Sequence, residues 1–227
     1  MKFETRTLQI MKNFASINPS LQFKQGSFIT TMSPNKTMMA KAAIKEHIPH
    51  TFAIFDLSRF LGVLSLFESP VLNMEERYLN ISGGSRQVQY TYADPKLIVT
   101  PGDKEIKLPE PEISFSLGSE VLQSIMKAMG VLGLPEIAVS GENGVIRIEA
   151  IDSKNPSSDT YSITVDTPIY NIDAKAKFRM IFLAENIKVL PENYTLSISS
   201  RGLAHFKGSD IEYWIATESS STYKADE

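Results

Sequence analysis

The 227-residue chain contains no cysteine. That excludes disulfides, thiolate nucleophiles and cysteine-ligated metal sites. Histidine is scarce, with His47, His50 and His205 the three present. His47 and His50 lie in KEHIPH beside Pro49, without HExxH spacing or a carboxylate partner, and read as solvated loop residues. His205, at the end of an alternating strand, reads as structural. No apolar run reaches the roughly 18 to 20 residues that cross a bilayer. The opening MKFETRTLQI has no apolar h-region, so a cytosolic location without membrane partners is expected. The sequence also lacks GxxxxGK(S/T), GxGxxG and GxSxG. It lacks an excess of base, with 23 Lys and Arg against 26 Asp and Glu and a net charge of −3, unlike a strongly basic nucleic-acid binder. Charged residues make up only 22%, which argues against disorder. These absences point to a protein that is not an enzyme and needs no cofactor or metal.

What is present is a repeated pattern. The run FAIFDLSRFLGVLSLF (52–67) holds eleven apolar residues in sixteen positions. TFAIF (51–55) reads as a strand buried on both faces. Asp56 can then cap a helix, with Leu57, Phe60, Leu61 and Leu64 at helical spacing and Ser58, Arg59, Gly62 and Ser65 on the opposite side. EISFSL (112–117) leads likewise into a helix with Val121, Leu122, Ile125 and Met129 on one face. FRMIFL (178–183) leads into a shorter predicted helix with Leu183, Ile187 and Leu190, stopped by Pro191. Near the N-terminus, Leu8, Met11 and Ala15 mark a helix flanked by Ile10 and Phe14. Hairpin-like strands follow, around Gly26, around Asn143-Gly144, and through 194–206 and 212–217. Strand, helix and strands thus recur four times, starting near residues 3, 52, 112 and 178. The proline-rich stretch 93–112 reads as a connector. Two domains of two repeats each are expected, at 1–108 and 109–227, in an α+β arrangement with helices on one face of antiparallel sheets.

The helices' outward faces share a character. Arg6, Gln9, Asn13 and Ser16 form one stripe with Lys12 alongside, and Arg59 stands on the second helix. Gln123, Ser124 and Lys127 stand on the third, with Glu120 in its first turn. Asn186 and Lys188 are assigned to the fourth, with Glu185 near its start. Sparse cations among amides and hydroxyls suit weak, sequence-blind contact with phosphates.

KNFASINPSLQFKQGSF (12–28), FAIFDLSRFLGVLSLF (52–67), ADPKLIVTPGDKEI (93–106) and HFKGSDIEYWIATES (205–219) resemble the DNA polymerase sliding clamps of T-even-type bacteriophages, in order and spacing along nearly the whole chain. The resemblance implies two similar clamp domains in each subunit of a homotrimeric ring. Helices would line a hole around double-stranded DNA, and sheets would form the outside. It further implies loading by an ATP-driven clamp loader, tethering of DNA polymerase, support of late transcription, and action in the host cell cytoplasm. By position it makes Arg6, Lys12, Arg59, Lys127 and Lys188 DNA-facing, and Leu97, Ile98, Val99 and Pro101 part of a partner-binding groove. It brings a strand at 86–92, with Val88, Tyr90 and Tyr92 on one face, against a neighbour's strand at 159–166, with Tyr161, Ile163 and Val165 on one face. The alternative is a non-enzymatic oligomeric structural protein that does not bind DNA.

Overall fold

A computed structural model describes residues 1–102, 106–166, 168–173 and 175–225. The chain divides into two compact units, Met1–Lys104 and Glu105–Glu227.

In the first unit, helix α1 (Thr5–Ile17) precedes strands β1 (Leu21–Phe23), β2 (Gly26–Met32), β3 (Met38–Ile48) and β4 (Phe52–Ile54). Helix α2 (Leu57–Leu64) then leads to β5 (Val71–Met74), β6 (Tyr78–Gly83) and β7 (Arg86–Thr91). The strands form two antiparallel ladders, β3-β2-β1-β4 and β5-β6-β7. The strand that opens the second repeat, β4, pairs with β1 of the first repeat rather than with its own successors. Its three residues are all buried, as the unbroken apolar run requires. Met1 completes the exchange. Its carbonyl accepts from Leu72 N at 2.8 Å, and its amino group donates to Leu72 O at 2.6 Å. Each repeat therefore lends its opening segment to the other, which locks the pair into one folding unit.

The second unit contains β8 (Ile113–Leu117), α3 (Ser119–Leu132), β9 (Glu136–Glu142), β10 (Val145–Ile151), β11 (Tyr161–Thr164) and β12 (Ile169–Asn171). It continues with β13 (Lys177–Leu183), β14 (Tyr194–Ser199), β15 (Leu203–Lys207), β16 (Ile211–Ala216) and β17 (Thr222–Lys224). Its ladders run β12-β8-β14-β15-β16 and β11-β10-β9-β13-β17. The same exchange recurs, with β8 beside β14 and β13 beside β9. Asn143 and Gly144 both adopt positive φ, 53° and 75°, the conformation that a two-residue turn between right-twisted strands demands.

The helices follow the apolar periodicity with two departures. Helix α2 buries Leu57, Phe60 and Leu64, and the Asp56 carboxylate accepts from Arg59 N at 2.8 Å as its cap. Helix α3 buries Leu122, Ile125 and Met129 and ends at Gly133 in the left-handed region. Helix α1, however, buries Thr7, Ile10, Met11, Phe14 and Ile17, leaving Leu8 and Ala15 half-exposed. The stripe through Ile10, Phe14 and Ile17 covers more apolar area than one through Leu8 and Ala15, so the helix rotates toward it. The second departure is the fourth predicted helix. Residues Ala184–Asn186 form one 3-10 turn, and no α-helix follows among the described residues of that repeat. Pro191 disfavours helical backbone at Leu190 and removes a donor, which leaves too few residues to nucleate a helix. Ile187, Val189 and Leu190 are nonetheless buried.

Helix α1 has no side-chain cap of its own. Glu46, 9% exposed on β3, supplies one: its carboxylate accepts from Glu4 N and, at 2.7 Å, from Thr7 Oγ1. Two bonds to a largely buried carboxylate make a Glu46→Ala substitution costly, on the order of 2 kcal/mol. Chemical denaturation of the variant should show a lowered midpoint with an unchanged slope. An unaltered midpoint would mean that water caps the helix equally well.

Candidate nucleic-acid interface and partner-docking segment

The three α-helices among the described residues carry four cations, Arg6, Lys12, Arg59 and Lys127, and a single acid, Glu120. This is the reverse of the whole chain, where acids outnumber bases 26 to 23. On α1, the exposed line runs Thr5, Gln9, Lys12 and Ser16, with Lys12 near its centre. Arg6 and Asn13 stand half-exposed beside it, and Arg6 Nη1 donates to Gln9 Oε1 at 3.1 Å. Lys127 shares the exposed side of α3 with Gln123 and Glu120. Lys188 is half-buried and lies past the 3-10 turn, so it belongs to no helix, and the described residues hold three α-helices where four were expected. Glu185 and Asn186 also leave the predicted helical face; both lie in the turn, and Asn186 is buried.

Arg59 occupies a particular place. It is exposed and lines a groove in the first unit together with Phe55, Asp56, Val63, Val88 and Tyr90. The Tyr90 ring meets Phe60 edge-on at 5.2 Å, and its hydroxyl donates to Asp56 O at 3.3 Å. Burial raises the Tyr90 pKa, against the opposing pull of the Arg59 charge. Phe55, read from the sequence as the last residue of a strand buried on both faces, is instead 62% exposed just past the end of β4, and its apolar side chain joins this groove.

Strands β7 and β11 each have one ladder partner among the described residues, so each presents a free edge. Their side chains sit at the rim of a core. Val88 and Tyr90 lie opposite Ile81 and Leu79, which are fully buried, yet are themselves only half-covered. Ile163 lies opposite buried Ile148 and is likewise half-covered, and Tyr161, 38% exposed, lies opposite Ala150. Val165 differs, being 9% exposed just past the strand with its N–H donated to Ile146 O at 2.9 Å. Tyr92 is also committed to its own unit. It stacks on Phe52 at 4.8 Å, its hydroxyl is buried, and burial together with Glu75 pushes its pKa up to about 12.

The connector splits in direction. Asp94 caps a 3-10 turn at Pro95–Leu97 by accepting from Lys96 N at 2.9 Å. Leu97 is then 67% exposed, Ile98 only 8%, Val99 40%, and Pro101 is buried. Ile98 and Pro101 anchor the segment, while Leu97 and Val99 face outward. Residues 103–105 of the connector lie outside the described residues.

The histidines make no titratable cluster. His50 is not the solvated loop residue its neighbours suggest. Its ring stands edge-on to Phe52 and Tyr92, 6.3 Å from each, with Nε2 buried. His205 stacks on Trp214 at 4.6 Å and pairs with Glu212 at 2.9 Å. Among the described residues, no group of three His, Asp or Glu side chains could hold a metal ion.

Paired repeats with exchanged opening strands define a duplicated clamp fold, and solved structures of sliding clamps share it. Proliferating Cellular Nuclear Antigen from Entamoeba histolytica matches with a TM-score of 0.71 over 93% of this chain and 94% of that one, at 14% identity. A. fulgidus PCNA bound to the C-terminal region of FEN-1 matches at 0.69 over 95% and 96%, at 15% identity. The Helicobacter pylori beta clamp bound to a DNA ligase peptide matches at 0.66 over 96% and 67%, at 12% identity. Residues 2–100 match the DNA polymerase processivity factor family, and residues 114–219 match the gp45 sliding clamp C-terminal family. The sliding clamp of Vibrio phage KVP40 is 32% identical over 96% of this chain and 99% of its own length. That of Enterobacteria phage T4 is 31% identical over 98% and 99%. The chain belongs to the bacteriophage sliding clamp family, the processivity factors of phage DNA polymerases.

Proposed function

We propose that the protein works as a homotrimeric ring that encircles duplex DNA in the host cell cytoplasm, is opened by an ATP-driven clamp loader, and tethers the replicative polymerase without chemistry of its own. The observation that carries this reading is that two of the free strand edges among the described residues, β7 in the first unit and β11 in the second, carry half-covered core residues. Two different sticky surfaces on one chain support head-to-tail assembly, which closes into a ring when the rotation permits. Phage late transcription is a further use of the same tethered ring. The test has two parts. Light scattering should give three times 25.3 kDa. The clamp loaded by its loader should stay on a nicked circle and slide off linear duplex. A monomer, or equal loss from both DNAs, overturns the ring.

Lys12 and Lys127 face the phosphates in this reading, with Arg6 beside Lys12 and Lys188 outside the helical lining. Arg59 is DNA-facing by position and also borders the β7 edge. A topologically held ring needs little affinity, and strong basicity would bring salt-dependent sticking, so a lightly basic lining on an acidic chain fits. Changing Lys12 and Lys127 together to Glu, which leaves the β7 edge untouched, should shorten processive synthesis about threefold or more at low salt. The deficit should narrow as salt rises, because screening already weakens the parent's attraction. Equal product lengths for variant and parent at low salt would remove these lysines from the lining.

The docking segment is the connector. Leu97 and Val99 contact an apolar partner tail, and Ile98 and Pro101 hold the backbone beneath them. The solved clamps bound to FEN-1 and ligase peptides support a peptide as the occupant.

A further inference from the structure

KNFASIN (12–18) is one of the two stretches that carry the family resemblance most specifically, and its last residue has no role in the reading above. Its last residue, Asn18, is 3% exposed and uses every hydrogen-bonding site of its side-chain amide. Nδ2 donates to Met32 O at 2.9 Å and to Val99 O at 3.0 Å. Oδ1 accepts from Ser20 N at 3.0 Å and from Ser20 Oγ at 3.1 Å. The orientation is unambiguous, because the Ser20 N–H can only donate and the two carbonyls can only accept. The Asn18 backbone N–H also donates to Phe14 O at 2.9 Å, closing the C-terminal end of α1. One side chain thus joins the end of the Lys12 helix, the end of strand β2 and the connector, across 81 positions of sequence to Val99.

We propose that Asn18 is a positioning residue for partner docking: its amide holds the Val99 carbonyl inward, which turns the Leu97 and Val99 side chains out to meet a partner's apolar tail. This rests on the connector being the docking segment. The geometry supports it directly. Val99 is 40% exposed while its carbonyl is held from within, and Ile98 on the other side is buried. Without the amide donor, the segment after Ile98 loses one of its anchors, with Pro101 still buried, and the outward pose becomes one of several. A partner then binds only the fraction of molecules in the right pose. No other amino acid reproduces two donors and a doubly accepting oxygen at this reach.

The test compares Asn18→Ala and Asn18→Asp with the parent as full-length assembled protein. The aspartate keeps the acceptor for Ser20 but sets oxygen against two carbonyl oxygens. Amide exchange at residues 97–100 should quicken about tenfold or more in both variants, with α1 and the β1–β3 amides unchanged, since loss of buried bonds opens that segment locally. Affinity for a labelled peptide of the cognate polymerase's C-terminal tail, measured well below the melting temperature, should fall about threefold to tenfold. Leu97→Ser is the control, because it removes a contact without loosening the segment. Unchanged connector exchange in both Asn18 variants overturns the proposal. So does faster exchange with undiminished affinity when Leu97→Ser does weaken binding. If Leu97→Ser binds the peptide as the parent does, the docking reading fails and takes the proposed role with it, whatever the exchange shows. If Asn18→Ala fails to fold, Asn18→Asp decides the matter alone.

Discussion

Replacing Ile163 with aspartate is expected to leave a folded chain that no longer forms trimers at micromolar concentration. Ile163 sits at the free edge of β11, opposite Ile148 of the core, and is half-covered within its own unit. In the proposed ring, the strand edge of a neighbouring copy would supply the missing cover. An unpaired carboxylate buried there would cost about 3 kcal/mol at each junction, roughly a hundredfold in association. In the free monomer the same carboxylate can reach water, so the fold should survive. Tyr90→Arg is the matching change on the other edge. Its ring already rests on Phe60, and the rest of that face looks outward into the groove beside Arg59. Both variants should show parental circular dichroism and a scattering mass near 25.3 kDa. Trimers persisting in both at the parent's concentration would place ring closure on other strands.

Gly141→Ala is expected to produce the largest loss of stability in the second unit. Gly141 on β9 lies opposite Phe178 on β13, and the phenyl ring covers the glycine backbone. A Cβ at this position would come within 2.2 Å of Phe178 Cε1 and Cζ. Phe178 is 2% exposed and stacks on Tyr223 at 6.2 Å, so it has little room to swing away. Overpacking of this kind costs about 3 kcal/mol at the upper end, a drop of roughly 10 °C in melting temperature for a unit of this size. Combining it with Phe178→Leu should cost less than the sum of the two single changes, because the smaller side chain relieves the clash. A strictly additive double variant, or a Gly141→Ala protein that melts with the parent, would show that the ring moves aside freely.

Helices α2 and α3 and the hairpin at Asn143-Gly144 were legible from local pattern. Each is specified within about fifteen residues, by a capping carboxylate or terminal glycine and an apolar stripe, or by two residues that tolerate positive φ. The spacing that predicts a fourth helix is equally satisfied by an irregular buried segment, and Pro191 leaves a helix no room to propagate. The rotation of α1 is not visible in the stripe, which records apolar positions and not the area each one buries. In the connector, the triplet Leu97, Ile98 and Val99 looked uniform in sequence. One inward residue between two outward ones emerges only when the segment is laid on a core.

The amino-acid sequence by itself determined that this is a cysteine-free, duplicated α+β chain without a catalytic signature, and it carried the motifs of a phage sliding clamp. Those properties reside in composition, periodicity and short motifs, where each residue's effect is local. Tertiary structure decided which strand each repeat lends to its partner, which edges stay unpaired, and that Asn18 reaches Val99 and Glu46 caps a helix 39 or more residues away. Those are contacts between distant segments. A backbone donor or acceptor states only that it must be satisfied when buried, and folding alone selects the partner.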